Sequence, residues 1–310
     1  MNPVLALIIT NIIWGAASPI FKFALQNIPP FTLAFIRFFF AGLIFLPLAI
    51  GKWQKLTPRQ WLEVLLVGFF GITINISFFF LGLQKTESIN VPVIASSGPV
   101  FIYFLSILFL KEKPKIKILL GMIIALFGVL TIILSPMFLD GKKFVIGAIE
   151  GNLFILLATL GTVFQAIIGH RILKKVNPFQ VSTVTFLFGA LTFLPFIKGE
   201  FLNWDISFLN INGLVGIIYG VFFSSALAYF LFYYGISKIK AQEAGVFTYL
   251  DPIAAIFIAV PLLHEYPNLF YFLGALLIFG GIYLAEGRIH WHPFYKIKSQ
   301  NSKIKVKLKV

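Results

Sequence analysis

The sequence predicts an all-α membrane protein of ten transmembrane helices, arranged as two inverted-topology five-helix repeats. Three observations predict it. First, 59% of the 310 residues are hydrophobic and only 12% are charged, about half the charge a soluble domain uses to cover its surface. Second, apolar runs of roughly the 20 residues needed to cross hydrocarbon recur along the chain. Third, one stretch returns in altered form: LFLKEKPKIKILLG at 108–121 shares Glu, Pro and Gly at matching places with PLLHEYPNLFYFLG at 261–274, 153 positions later.

The apolar runs fall at about 4–24, 31–50, 61–83, 88–110, 116–135, 144–169, 179–197, 211–236, 241–263 and 268–286. Their breaks, such as QNIPP, KEKPKIK, HRILKKVNP and HEYP, are too short to hold a domain. The expectation is one bundle of helices, each satisfying its own backbone in lipid. No Lys or Arg precedes the first run, so it reads as a retained span and not as a cleaved signal. With the N-terminus inside, the cytoplasmic loops and tail carry nineteen Lys and Arg, against four in the outer loops. That bias predicts cytoplasmic N- and C-termini in an inner or plasma membrane. It also explains the net charge of +14 without nucleic acid. Seven of the basic residues lie in 287–310, read as a basic cytoplasmic tail that fixes orientation.

The repeat extends well beyond the motif. Gly82 pairs with Gly235, Pro99 with Pro252 and Gly128 with Gly281 at the 153 offset; Pro30 pairs with Pro178 and Pro47 with Pro195 at 148. The first repeat is 1–137 (spans one to five) and the second 138–286 (spans six to ten). Five spans is an odd number, so the second copy enters the membrane from the opposite side, a plan used by secondary transporters. Inversion also accounts for the lysines at 111, 113, 115 and 117 becoming His264, Tyr266, Asn268 and Phe270: one loop faces in and its copy faces out.

The frame running from Gly82 through Pro99 and Glu112 to Gly121 and Gly128, repeated from Gly235 through Pro252 and Glu265 to Gly274 and Gly281, resembles the EamA domain. That domain occurs in tandem in the ten-helix drug/metabolite transporters. Trp14-Gly15 in the first span and Arg37 in the second are similar to that family as well. The resemblance covers about 4–286 and implies an exporter of small metabolites with a central cavity between the halves. One departure stands out: Thr162-Val163 occupies the place of Trp14-Gly15 in the second half.

Polar groups inside hydrocarbon are costly and mark candidate sites. Asp251, directly before Pro252 in span nine, either lines the cavity and takes up a proton or a cationic group, or bonds the backbone freed by the proline. Arg37 either snorkels outward or points inward, to an anion or to an acid such as Glu150 or Asp251; a structural role outweighs substrate binding for it. Asn11, Trp14, Asn75, Ser97, Gln165, Tyr229, Tyr249 and Asp251 form the candidate substrate-binding set, with Asp251 and Arg37 as candidates for charge coupling. Asn11, Trp14 and Ser18 share one helix face. For each of these residues, interhelical bonding is the competing reading. Trp14 and Tyr249 could stack on a planar or cationic substrate. Gly121, Gly128, Gly274 and Gly281 read as close-packing positions. Lys22 reads as snorkelling, and Glu112 and Glu265 as caps on the helices that follow them.

Several chemistries are excluded. The chain has no cysteine, and therefore no thiolate site. His264-Glu265 is followed by Asn268 where a zinc motif needs His, so no metal is expected. No phosphate-binding or dinucleotide-binding glycine motif appears, and no nucleophile elbow, so neither a cofactor nor an enzyme is expected. The expectation is a secondary transporter that exports or exchanges an amino acid-like or drug-like metabolite by alternating access, with the proton as candidate coupling ion. A membrane channel and a membrane-embedded lipid-processing protein are the alternatives. The expected partners are the small-molecule substrate and the bilayer; the oligomeric state stays open.

Overall fold

The structure, a computed structural model, describes residues 2–98, 100–101, 105, 116–139, 146–238 and 245–286. The Glu112 cap, the lysines from 111 to 115 and the basic tail lie outside the described residues. Among the described residues there are helices and turns and no strands.

Helix α1 spans Pro3–Ala24, with Pro at its first position and the Asn2 carboxamide oxygen accepting from the Val4 amide at 2.9 Å. Helix α2 spans Pro30–Ile50; its N-cap is Pro29, which supplies no side-chain acceptor. Glu200 supplies one from another helix, accepting from the amides of Phe31 (2.9 Å) and Thr32 (2.7 Å). Helix α3 spans Pro58–Leu83, starts on a Thr57/Gln60 capping box and contains a π-helical turn at Phe69–Ile74. Helix α4 begins as Asn90–Ala95 and is interrupted by a turn at Ser96–Ser97. Helices α5 (Ile116–Leu134), α6 (Ile146–Ile172) and α7 (Pro178–Glu200) follow. Helix α8 runs through Ile211–Ile218, a π-helical stretch Tyr219–Leu227 and Ala228–Lys238. Helix α9 is Leu250–Leu263, entered through a 3-10 turn at Gly245–Tyr249, and α10 is Leu269–Glu286.

Six of the described helices are long and apolar enough to cross a membrane: α1, α2, α3, α6, α7 and α8. Shorter apolar helices cover Ile118–Leu134, Phe247–Leu263 and Leu269–Leu284. Large apolar side chains point outward along them, among them Phe40, Phe127, Phe257 and Leu276. Such a belt suits lipid and not water. The chain is a multi-pass, all-helical membrane protein.

Two helix pairs dominate the packing, α2 with α7 and α5 with α10. Both pairs run antiparallel and both are self-matching. Ring centroids of Phe31 and Phe193 lie 6.0 Å apart, those of Phe38 and Phe186 5.3 Å, and those of Phe45 and Phe179 5.9 Å. At the 148 offset, Phe38 maps onto Phe186 itself, and the two outer pairs exchange. The buried Phe38–Phe186 contact therefore sits at the centre of a two-fold arrangement, the geometry of an isologous interface.

The α5–α10 pair repeats the pattern with glycines. A Cβ on Gly128 would stand 2.6 Å from the Gly274 carbonyl oxygen, and one on Gly281 would stand 2.4 Å from that of Gly121. Backbones touch there, as the packing role expected of these glycines requires. Gly281→Ala is expected to cost about 1–3 kcal/mol, because a backbone carbonyl cannot yield as a side-chain end can. The checks are a lowered unfolding temperature and a lower yield of monodisperse protein. By contrast, Gly280→Ala, where a Cβ meets nothing within 4 Å, should leave both unchanged.

The local irregularities also repeat. Phe69–Ile74 maps at the 153 offset onto 222–227, inside the π-helical stretch of α8. The interruption after Ala95 maps onto the 3-10 to α junction at Tyr249. Asp251 thus lies in the first turn of α9, two residues past the 3-10 segment that ends at Tyr249.

Candidate functional site

Arg37 projects inward from α2 and is 5% exposed. Its Nε donates to Ser225 Oγ at 2.8 Å and its Nη2 to Ser224 Oγ at 2.9 Å. The guanidinium carbon lies 4.8 Å from the Phe21 ring centroid and 4.6 Å from that of Phe38. Gly220 makes room, since a Cβ there would meet the Arg37 stem at 3.2 Å. Arg37 therefore neither snorkels nor pairs with an acid; among the described residues no carboxylate forms a salt bridge with it. Of the two acids proposed as partners, Glu150 instead binds Lys85 at 2.6 Å. Hydroxyls and ring faces are what stabilise this buried cation.

Trp14 lies beside the same serines. Its Nε1 donates to the Ser224 carbonyl at 3.1 Å, and its ring lies 5.4 Å from Tyr229 and 5.2 Å from Phe232. Gly15, the next residue, lets α1 close on α9: a Cβ there would stand 2.4 Å from the Asp251 carbonyl oxygen. Asp251 Oδ1 is buried without a hydrogen-bond partner, so it does not cap the backbone beside Pro252. Asn11 donates to the Leu7 carbonyl at 2.8 Å, and its Oδ1 is also buried without a partner. Tyr249 packs edge-on against Phe279 of α10 at 5.1 Å. Arg37, Trp14 and Tyr229 thus form one cluster across α1, α2 and α8, and Asp251 of α9 adjoins it through the contact of its backbone with Gly15.

Asn75 and Gln165 belong to a second cluster. Asn75 Nδ2 donates to the Ala158 carbonyl at 2.8 Å and to Thr162 Oγ1 at 2.9 Å, joining α3 to α6. Gln165 lies over Gly71 in the π-helical turn, where a Cβ would clash with its amide at 2.1 Å. Between α3, α4 and α6 lies a cavity of about 230 Å³, lined among others by Asn75, Phe79, Gly98, Thr159 and Thr162. Ser97 stands apart from it, its hydroxyl donating to the Ile94 carbonyl at 2.6 Å.

A polar network that sequence reasoning missed closes one end of the bundle. Lys22 Nζ bonds Glu265 Oε1 at 2.7 Å and the Thr86 carbonyl at 2.5 Å. Glu265 Oε2 accepts from the Ser88 amide at 2.7 Å and the Ser88 hydroxyl at 2.6 Å. Thr86 bonds Asn152 at 2.5 Å. The cap on α10 is Asn268, which accepts from the Tyr271 amide at 2.9 Å. Glu265 therefore caps the entry to α4, across the molecule, and Lys22 is bonded where snorkelling was expected. The signal available in the sequence was that Lys22, Lys85, Glu150 and Glu265 all sit at span ends.

Burial, and next the Glu265 carboxylate, push the Glu87 carboxyl above its ordinary value, with Lys22 opposing. A raised folded-state value means the folded form binds the extra proton more readily. Stability is therefore gained as pH falls through that value and is fully present below the ordinary Glu value. Glu87→Gln is expected to raise the unfolding temperature at neutral pH by roughly 1–3 °C and to flatten its dependence between about pH 7 and 4. Unfolding scans across that range check it.

Comparison with known proteins gives the family of the chain. Residues 1–134 and 149–286 match the EamA-like transporter family. Uncharacterized transporter YetK of Bacillus subtilis is 28% identical over 275 residues, covering 87% of this chain and 82% of its own. An uncharacterized transporter of Archaeoglobus fulgidus is 25% identical over 291 residues, covering 92% of this chain and 98% of its own. A WAT1-related chloroplastic protein of Arabidopsis thaliana is 24% identical over 281 residues, covering 88% of this chain and 66% of its own. A solved crystal structure covering 91% of this chain and 96% of its own superposes with a TM-score of 0.60 at 16% identity, a likeness of fold. The family and the relatives' names point to a membrane transporter and not to an enzyme. The chain belongs to the EamA-like transporter family.

Proposed function

We propose that the protein is a secondary carrier that exports or exchanges a small metabolite by alternating access in the inner or plasma membrane. It is built as ten spans in two inverted repeats, with both termini cytoplasmic. The observation that carries this reading is the self-matching antiparallel packing of α2 on α7 about Phe38–Phe186. Two copies of one helix can run antiparallel and exchange equivalent contacts only if the halves are inverted.

Access to the interior is controlled at the Lys22–Glu265 end, which is the outer end if the lysine-rich loops are cytoplasmic. Both ion pairs of that network, and its Thr86–Asn152 and Ser88–Glu265 bonds, join the first repeat to the second. The substrate is amino acid-like or drug-like and meets Asn75, Gln165, Trp14 and Tyr229. Asp251, buried beside Gly15 with an unpartnered oxygen, is the site where a coupling proton would bind. The test is to compare metabolites released by cells with and without the protein. A compound released only when the protein is present supports the carrier; identical release profiles under export-inducing conditions argue against it.

A further inference from the structure

The duplicated sequence has produced two equivalent helix trios, α3/α4/α6 and α1/α8/α9, and a cavity lies in the first. The equivalence is geometric as well as sequential. Gly82 packs on Ile155, and its copy Gly235 packs on Leu7, the copy of Ile155. A Cβ on Gly98 would stand 3.9 Å from Val163, and the copy of Gly98, Asp251, lies against Gly15, the copy of Val163. Mapped by the same offsets, the cavity-lining residues Phe79, Gly98, Thr159 and Thr162 become Phe232, Asp251, Asn11 and Trp14. In the α1/α8/α9 copy the indole of Trp14 stands against Phe232 at 5.2 Å. In the α3/α4/α6 copy Thr162 and Phe79 leave a cavity of about 230 Å³ in the corresponding place.

The cavity lies on the face of α6 opposite Leu153 and Leu157 and is open, since Ala95, Thr162 and Ala166 in its lining are exposed. Leu153 and Leu157 are exposed on α6, at 44% and 40%. Thr162 and Ala166 line the cavity and follow those leucines by nine residues each, about two and a half helical turns, which places them on the opposite face. Among the described lining residues the side-chain polar atoms come from Asn75, Thr159 and Thr162, and none of these residues is charged. The Asn75 amide nitrogen is already bonded to Ala158 and Thr162.

Resting on the carrier reading, we propose that this cavity is an apolar subsite for the substrate, the open member of a duplicated pair whose other member is plugged by Trp14, and that it takes an uncharged aromatic or branched aliphatic group. An apolar cavity of about 150 Å³ accommodates benzene, so this one has room for a substituted ring. A carboxylate or ammonium entering it would lose hydration without a charged partner, so the charged part of any substrate stays outside, toward the Arg37 and Asp251 cluster.

The chain has no cysteine, so single-cysteine labelling needs no background changes. Thr162→Cys and Leu157→Cys, in membranes, are reacted with N-ethylmaleimide in the presence of indole, acetate or methylammonium. The expected result is that indole slows labelling at 162 about tenfold in a saturable way, acetate and methylammonium do not, and labelling at the lipid-facing 157 is unaffected. In the Thr162→Cys background, Ala166→Phe fills the cavity and should remove the indole effect. The proposal is overturned if residue 162 does not label, if indole protects neither position or both alike, if the charged probes protect equally, or if Ala166→Phe changes nothing. Indole protection at 162 with identical metabolite release from cells would sink the carrier reading and leave the subsite standing. A confirmed released metabolite without protection would do the reverse.

Discussion

Arg37→Met is expected to give a protein that folds at equal or higher stability and transports at least tenfold more slowly. Burying a cation in an apolar bundle carries a desolvation cost of several kcal/mol, and replacing buried charges by apolar groups of similar volume is often neutral or stabilising by about 1–4 kcal/mol. Arg37 is buried with two serine hydroxyls and two phenyl rings and no salt-bridged acid among the described residues. Methionine retains most of the stem that packs on Gly220 and has no hydrogen bonds to satisfy. Stability alone therefore does not account for the arginine, and under the proposed function what the variant removes is a fixed positive field at the site. Unfolding temperature and transport are measured together. A variant that loses fold and transport in parallel would make Arg37 structural, the role that the sequence reading weighed more heavily. Ser224→Ala with Ser225→Ala should behave oppositely, losing stability because the cation remains and its acceptors are gone.

Glu265→Gln is expected to loosen the closed end and shift the protein toward the state open there. The carboxylate holds Lys22 at 2.7 Å and accepts from Ser88 at 2.7 and 2.6 Å. Truncating one partner of a buried, hydrogen-bonded charge pair costs about 2–5 kcal/mol. Lys22 is 27% exposed, so solvent screening places this case near the low end, about 2 kcal/mol. Because the network joins one repeat to the other, that energy is lost only by states in which the end is shut. A shift of 1.4 kcal/mol is tenfold in population, so labelling of Thr162→Cys by a membrane-impermeant reagent from outside should rise by tenfold or more. Lys22→Met should do the same, because it removes the other half of the pair. Unchanged labelling in both variants would reduce the network to a static brace.

Much of this architecture was legible in the sequence, for identifiable reasons. Spans follow from the length of apolar runs, because hydrocarbon thickness sets a fixed minimum. Thus α1, α2 and α7 fall within a few residues of expectation. The close-packed glycines were legible because their spacing of seven survives duplication. The substitution of Thr162 for Trp14 was visible at the 148 offset, but the cavity beside Thr162 was not, because it depends on how three helices meet. The π-helical turns at Phe69–Ile74 and within α8 were not legible: a one-residue insertion in a helical ladder leaves the apolar pattern nearly unchanged. Glu265 was misread because its neighbour in sequence is Pro267, whereas its acceptors serve Ser88, 177 positions away. Arg37 points inward, one of the two orientations that the sequence left open, but its partners were not legible, because serine hydroxyls on a distant helix carry no sequence signal of that role.

Inversion of the two halves is tested most directly by sided labelling at equivalent loop positions. Trp53 follows α2 and Phe201 follows α7; they are 148 residues apart and both exposed, at 43% and 55%. In intact cells, Phe201→Cys should react with a membrane-impermeant maleimide at once, and Trp53→Cys only after the membrane is opened. Labelling of both positions from the same side would contradict an inverted repeat.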